Sequence, residues 1–421
     1  MQNVTLAPQR SRALEFGIYR DGDNNLDQSQ AAVLAQARDV SAADPSIQFT
    51  VEDTGHDALR QAQGDTLGAQ GDRATSERYT IQDGLRQAQA DTPHTTKLDD
   101  MADPRNLAQF IKRTLDNAEA SDAKQTWVDL VDHGAGDGGG LEADSFKGIM
   151  PMPQIAAAIA EGVKLHAQEH PEDANRGIDG VVANQCLMSS MGFADALSRA
   201  GVKYLAASPE TMLSPGVPST VAEDVAQHLD NPSAMAKSVV TDVMSTRYDT
   251  PIGGIAPAAA FDVLDLNAAK IARAETAIKT FNDAAVSAAR ADGTTRTALR
   301  DDVKSVDGMV RFPEATPDMP WNADRPAIAT YNAIAADSSL DSSLRADART
   351  AAAAVKDLVL AHKESAHFGP FGGSDYRDAA GPTIHAPVSH KQIDPWAPAV
   401  SETDNTFYSA TDQNTFARVI A

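Results

Sequence analysis

Strand-length apolar runs alternate with helix-length segments through the first half of this chain. That alternation restricts the fold more than any other feature. Residues 14–19 (LEFGIY), 47–52 (IQFTVE), 127–132 (WVDLVD), 181–183 (VVA) and 203–207 (KYLAA) read as strands. Between them, residues 28–40, 103–115, 153–163 and 188–201 read as helices. Asp103-Pro104 has the form of a helix start, and Leu107, Phe110, Ile111, Thr114 and Leu115 keep to one helical face. Residues 78–81 (RYTI) fit a short strand or hairpin arm after a polar loop at 54–74. Such an order predicts an α/β fold, a mostly parallel sheet sandwiched by helices. Sites in such sheets lie at the carboxyl ends of the strands.

The pattern changes after residue 220. Ala-rich helices are expected at 268–291 and 344–362, with weak strands at 261–266 and 382–387. No linker separates the halves. The expected division is a core domain over 1–220 and a helix-rich α/β region over 221–421 packed on it.

Partner classes are narrowed by charge. The 36 Lys and Arg stand against 59 Asp and Glu, a formal net charge of −23. This excess argues against nucleic acid or an anionic membrane as the main partner. No apolar run reaches the roughly 20 residues that span a bilayer, and the first residues lack the apolar core of a secretory signal. A single cysteine precludes an intrachain disulfide.

That cysteine, Cys186, follows the 181–183 strand in the stretch NQCLMSS. A lone cysteine is by default a small buried hydrophobe. His133 gives it another role, because it ends the preceding predicted strand and is followed by the glycine-rich GAGDGGG. Two adjacent strand ends then bring a thiol and an imidazole together, as a nucleophile and its base or activating cation. The backbone N–H groups of Gly134 and Cys186 are candidates for an oxyanion hole. Histidine precedes cysteine by about 50 residues, the order and spacing found in caspases.

Three stretches, DHGAGDGGG, NQCLMSS and KYLAASPETMLSPG, resemble the clostripain family of cysteine peptidases. RDGDNNLD, DDMADPRNLAQFIKRTL, FDVLDLNAA and GPTIHAP are similar to further family segments in the same order. The resemblance implies a caspase-like sheet and a Cys186–His133 dyad acting on protein or peptide substrates. It also implies a chain that is often secreted and processed between histidine and cysteine, where Lys147 is the candidate site. The chain is expected to be monomeric. Family members usually cleave after Arg or Lys, using an aspartate two residues before the nucleophile. Here that position is Asn184, which lacks the charge, so the P1 preference is expected to change. Ser208 and Glu210 are candidates for the same pocket, with Glu210 a source of the missing charge. A catalytically silent binding or scaffold protein on this fold is the alternative, supported by Asn184 alone.

Other motifs compete weakly. Residues 166–170 match the H-x-x-E-H zinc-hydrolase pattern, yet they abut Pro171 with no clear third ligand. They read as an exposed helix end where histidine suits the dipole. Residues 21–27 (DGDNNLD) begin like a calcium loop but lack the glycine and terminal acid of an EF-hand. No cofactor or metal is expected, with an irregular Ca2+ site kept open at that loop. The GAGDGGG loop lacks the Lys-Ser/Thr of a phosphate loop and reads as a mobile flap. Asp132 reads as solvated or salt-bridged, facing away from His133 by strand alternation.

Overall fold

A computed structural model describes residues 11–55, 75–88, 99–143, 145–250, 253–309, 323–365, 376–389, 392 and 406–421. Among the described residues, nine strands form the main sheet. Its parallel centre contains β1 (Leu14–Asp21), β2 (Ile47–Gly55), β5 (Gln125–Val131), β8 (Gly180–Asn184) and β9 (Tyr204–Ala207), ordered β9-β8-β5-β1-β2. Next to β2 lies an antiparallel hairpin of β3 (Thr75–Gln82) and β4 (Leu85–Ala88), turned at Asp83-Gly84 with both residues at positive φ. Beyond β9 lie Ala260–Asp265 and Val359–Glu364, both antiparallel. A small hairpin, β6 (Gly140–Ala143) with β7 (Gly148–Met150), interrupts the run between β5 and β8.

Helices cover both faces. On one face α2 (Pro104–Ala120), α3 (Met152–Glu169) and α4 (Met191–Arg199) bury residues such as Phe110, Ile111, Ile155, Ile159, Phe193 and Leu197 in one core. The other face packs α1 (Asp27–Ala43) and the helix Pro232–Ser245. Local chemistry sets the helix starts. Asp103 accepts from the Arg105 N–H ahead of Pro104, and Ser190 accepts from the Phe193 N–H at the start of α4. At Gly162 an added Cβ would sit 2.5 Å from Ile111, so α3 and α2 approach closely only because this position is glycine.

Beyond residue 220 the chain supplies sheet strands as well as helices, and the sheet runs across the expected division there. The expected helix at 344–362 is shorter. It ends at Lys356, and residues 359–364 form the edge strand instead. Buried Leu358 and the pairing to Ala260–Asp265 outweigh the helical pattern of the alanines before it. The expected strand at 382–387 is three residues long, Thr383–His385, and pairs with Asp324–Pro326. Among the described residues, no helix is long and apolar enough to cross a membrane.

Candidate active site

Strand register builds this site. β5 and β8 are parallel neighbours, with Val131 opposite Asn184. The Asp132 N–H donates to the Asn184 carbonyl at 3.3 Å, carrying the pairing one step further. His133 and Cys186 each lie two residues beyond the Val131–Asn184 pair, so they leave the sheet side by side at its carboxyl edge. Gly134 packs directly on the Cys186 turn. A Cβ there would stand 2.3 Å from the Cys186 carbonyl oxygen and 2.9 Å from the Cys186 nitrogen.

Gly134 pairs with Gly140 across an antiparallel bridge. The bonds of that bridge run from Leu141 N–H to His133 O and from Ala135 N–H to Gly139 O. Gly134 is therefore the non-bonded member, and its own N–H points away from Gly140. Leu187 follows Cys186 at φ 68°, a left-handed conformation uncommon for a residue with a side chain. This sharp turn lifts Cys186 out of the strand direction. Its ends are held by Leu187 N–H to Glu210 O, Ser189 N–H to Ser208 O and Thr383 N–H to Ser189 O.

His133 is half-buried, and its Nε2 lies 2.8 Å from Asn25 Oδ1. With the amide oxygen as acceptor, Nε2 carries the ring proton and Nδ1 is the basic nitrogen. The Cys186 sulfur accepts from the Met212 N–H at 3.2 Å and faces the Met212 carbonyl at 3.7 Å. No hydrogen bond joins Cys186 to His133. Burial pushes the thiol up to about 11; the Met212 N–H opposes this, and Glu210 and Asp132 add to it. At neutral pH the resting sulfur is a thiol.

The pocket candidates fall differently from the sequence expectation. Asn184 is 3% exposed and its amide is fully engaged. Oδ1 accepts from Val217 N–H at 2.8 Å, and Nδ2 donates to Val217 O at 3.2 Å and toward Asp129 at 3.5 Å. Alternation along β8 turns it inward, where it clamps the 216–217 backbone. Behind it Asp129 is buried, with one carboxylate oxygen unpartnered, and burial holds its pKa well above the carboxylate range. Ser208 is buried and bonded to the Glu210 backbone in both directions. Glu210 is also fully buried, its carboxylate accepting from the N–H and hydroxyl of Thr211. Lys147 is exposed in the β6–β7 turn at φ 53°.

Three polar stretches differ from their reading in the sequence. Asp132 is not solvated. It is buried and accepts from Asn24 Nδ2 at 2.5 Å and from the Glu142 N–H, and burial together with Asp21 raises its pKa well above normal. The glycine-rich loop is not a free flap. Residues 136–140 are buried, and Asp137 accepts from the Ser190 hydroxyl at 2.6 Å and from the Tyr408 hydroxyl. His166 is fully buried rather than at an exposed helix end, because the end of α2 covers it. The 21–27 turn is held by its own side chains. Asp21 accepts from Asp23 N–H, Asn24 from Leu26 N–H, and Asp23 from the Ser145 N–H and hydroxyl.

Asn25, which meets His133, lies in the 21–27 stretch that the sequence marked only as a calcium-like loop. Met212 and Asp129 carried no signal. Each reaches the site through a strand pairing or a loop return that no local pattern encodes.

No known family profile matches the sequence, and no curated protein does. Solved structures do match. One is a secreted C11 cysteine protease from Bacteroides thetaiotaomicron, "iotapain", 15% identical, covering 95% of this chain and 99% of that one, with a TM-score of 0.60. Another is an inactive zymogen C11 protease from Parabacteroides distasonis, 13% identical, covering 97% and 99%, TM-score 0.61. A third is a secreted C11 cysteine protease from Bacteroides thetaiotaomicron bound to an irreversible peptide inhibitor, 13% identical, covering 96% and 99%, TM-score 0.61. The likeness establishes the fold. The chain has the caspase-like, mostly parallel α/β architecture of the C11 proteases.

Proposed function

We propose that the chain is a cysteine peptidase of the clostripain type, hydrolysing peptide bonds through Cys186 and His133. The observation that carries this reading is the β5–β8 register, which brings the two residues out of adjacent strand ends with Gly134 against Cys186. Cys186 Sγ attacks the scissile carbonyl as His133 Nδ1 takes up the thiol proton. The N–H groups of Gly134 and Cys186 receive the developing oxyanion. His133 returns the proton to the leaving amine, and water then hydrolyses the thioester.

The resting arrangement is latent in this reading. Cys186 is tied to Met212 and His133 to Asn25, so substrate binding or processing must free the sulfur from Met212 before attack. Exposed Lys147, within the hairpin after the glycine-rich loop, is the proposed processing site, cut by another Lys-cleaving protease rather than by this chain. The P1 preference departs from Arg and Lys. Asn184 brings no charge, its amide is committed to Val217, and the Glu210 carboxylate is committed to Thr211. A neutral amide contact contributes about 1 kcal/mol, against 1.5–3 kcal/mol for a charge-assisted one.

A catalytically silent protein on the same fold is favoured by one observation, the capping of the thiol by the Met212 backbone. One experiment separates the two. Peptidyl acyloxymethyl ketones varied at P1 are incubated with the full chain and with Cys186→Ala. Labelling at Cys186, and peptide cleavage lost in Cys186→Ala, are expected. Complete absence of labelling across the panel, before and after cleavage at Lys147, rules out the peptidase.

A further inference from the structure

The amino edge of the sheet, opposite Cys186, holds a second cluster. α2 and α3 each lead into a parallel strand, so their C-terminal ends meet there. Asp116 on α2 and His166 and His170 at the end of α3 present three ligand atoms, all within 4.8 Å of one another. His166 Nδ1 is 2.8 Å from Asp116 Oδ1, and His170 Nε2 is 3.6 Å from the same oxygen. The two rings stack with centroids 4.8 Å apart.

Hydrogen bonding leaves this cluster incomplete in a particular way. His166 is fully buried, and its Nε2 has no hydrogen-bond partner although Asp173 Oδ2 stands 3.6 Å away. If Nδ1 donates to Asp116, a lone pair on Nε2 faces a carboxylate. His170 repeats the conflict. Its Nδ1 lies 2.5 Å from Glu119 Oε2, and a neutral ring with its proton there turns an Nε2 lone pair toward Asp116 Oδ1. Asp116 Oδ2 is already bound by Lys112 at 2.7 Å, so Oδ1 is the oxygen left to serve both rings. A divalent cation bound by Oδ1, His166 Nδ1 and His170 Nε2 removes both conflicts. The His166 proton then moves to Nε2, where Asp173 can accept it. Each ligating histidine would give its other N–H to a carboxylate, the usual arrangement around protein-bound zinc.

We propose that Asp116, His166 and His170 form a zinc site, water completing the tetrahedron at its exposed side, with Asp173 and Glu119 orienting the two histidines. Two imidazoles and one carboxylate are a donor set that suits zinc better than calcium or magnesium. Zinc ligand atoms in a tetrahedral site lie roughly 3.3 Å apart, and the two measured separations, 2.8 and 3.6 Å, bracket that value. The site is not a hydrolase centre. Glu169, the acid of the H-x-x-E-H pattern, is bonded to Lys112 and its side chain is 64% exposed. The metal instead fastens α2, α3 and the turn at 170–176 that precedes the nucleophile strand. Arg176 already ties that turn to Ala123 O at 2.8 Å.

The test uses the full chain carrying Cys186→Ala, which removes the thiol as a competing ligand. After chelation and dialysis, zinc stoichiometry is measured by elemental analysis and calorimetry, and Co2+ is titrated while the visible spectrum is recorded. One metal per chain, an intense tetrahedral cobalt band and a rise in melting temperature with zinc are expected. His170→Gln and Asp116→Asn should each weaken zinc binding at least ~100-fold, and Glu119→Gln by ~10–100-fold. Glu169→Gln should leave it unchanged. Failure of the folded chain to bind zinc or cobalt at micromolar free metal overturns the proposal. Equal affinity in Asp116→Asn and His170→Gln does so too. If His170→Gln does not fold, the cobalt spectrum of the Cys186→Ala chain decides, and a band without tetrahedral intensity overturns the proposal.

Discussion

His133 and Asn25 are 108 residues apart in sequence, yet His133 Nε2 meets Asn25 Oδ1 at 2.8 Å. The contact joins the loop after β1 to the end of β5, two strands paired side by side. It fixes which ring nitrogen carries the proton. The half-buried imidazole is thereby oriented by a turn whose shape is set by its own Asx bonds.

Removing that orientation should slow the chemistry more than it weakens binding. Asn25→Ala is expected to lower kcat about fivefold with little change in KM, since one neutral hydrogen bond contributes about 1 kcal/mol. Asn25→Gln should recover part of the loss. Steady-state kinetics on a peptide substrate, with circular dichroism to check the fold, measure both. An unchanged kcat in Asn25→Ala would remove Asn25 from the mechanism.

The resting thiol should behave as a weak nucleophile. With its pKa pushed up to about 11 by burial, it is neutral throughout the physiological range. Alkylation by iodoacetamide should therefore speed up about tenfold per pH unit between pH 7 and pH 9. Mass spectrometry of the Cys186 peptide reads the rate, and a plateau below pH 8 would contradict the raised value.

Gly134→Ala should abolish turnover without unfolding the protein. Its Cβ would lie 2.3 Å from the Cys186 carbonyl oxygen, and neither backbone has a flexible end to yield. The expected cost is about 1–3 kcal/mol of stability from overpacking, with a far larger effect on kcat through the displaced nucleophile turn. Denaturant melts and kinetics on the same sample separate the two. Retained activity would place the oxyanion donors elsewhere.

Asn184→Asp should not simply restore a basic P1 preference. Aspartate cannot donate to the Val217 carbonyl, and it would set a second carboxylate beside buried Asp129. A loss of about 1–3 kcal/mol is expected from the unpaired buried groups. Asn184→Asp with Asp129→Asn should regain stability and show the stronger arginine cleavage. Urea midpoints and a P1 library report the outcome, and an unperturbed midpoint in the single variant would refute the clamp.

Glu15 makes stability fall on the alkaline side. It is fully buried on β1, accepts from the Thr50 hydroxyl at 2.6 Å, and has its pKa raised to about 8 by burial. The ordinary value is 4.5, so the folded chain holds this proton more tightly than the unfolded one. Its contribution is complete below pH 4.5 and declines as pH rises to about 8. Glu15→Gln should flatten that decline and be a few kcal/mol more stable than the parent at pH 8, with little difference near pH 4.5. Melting curves across this range test the sign.

Parts of the architecture could be read directly because their chemistry is local. The strand runs before Cys186 and after Pro104-led α2 are apolar at the right period, and Asp103 is a helix cap recognisable from residue type alone. The edge strand Val359–Glu364 was not readable. It continues an alanine-rich helical pattern, and only its partner Ala260–Asp265 makes it a strand.

The sequence by itself determined the alternating α/β order, the ends of the strands and the residue types set at those ends, Cys186 and His133 among them. These follow from period, caps and composition, which act over a few residues. Tertiary structure alone decided what those groups touch. Asn184 looks inward to Val217 because β8 alternates against a loop 33 residues away, and Met212 reaches Cys186 across 26 residues. His166 is buried because α2 lies across it. Such contacts depend on sheet order and helix packing, where the free energy belongs to pairs distant in sequence, and no local pattern records the partner.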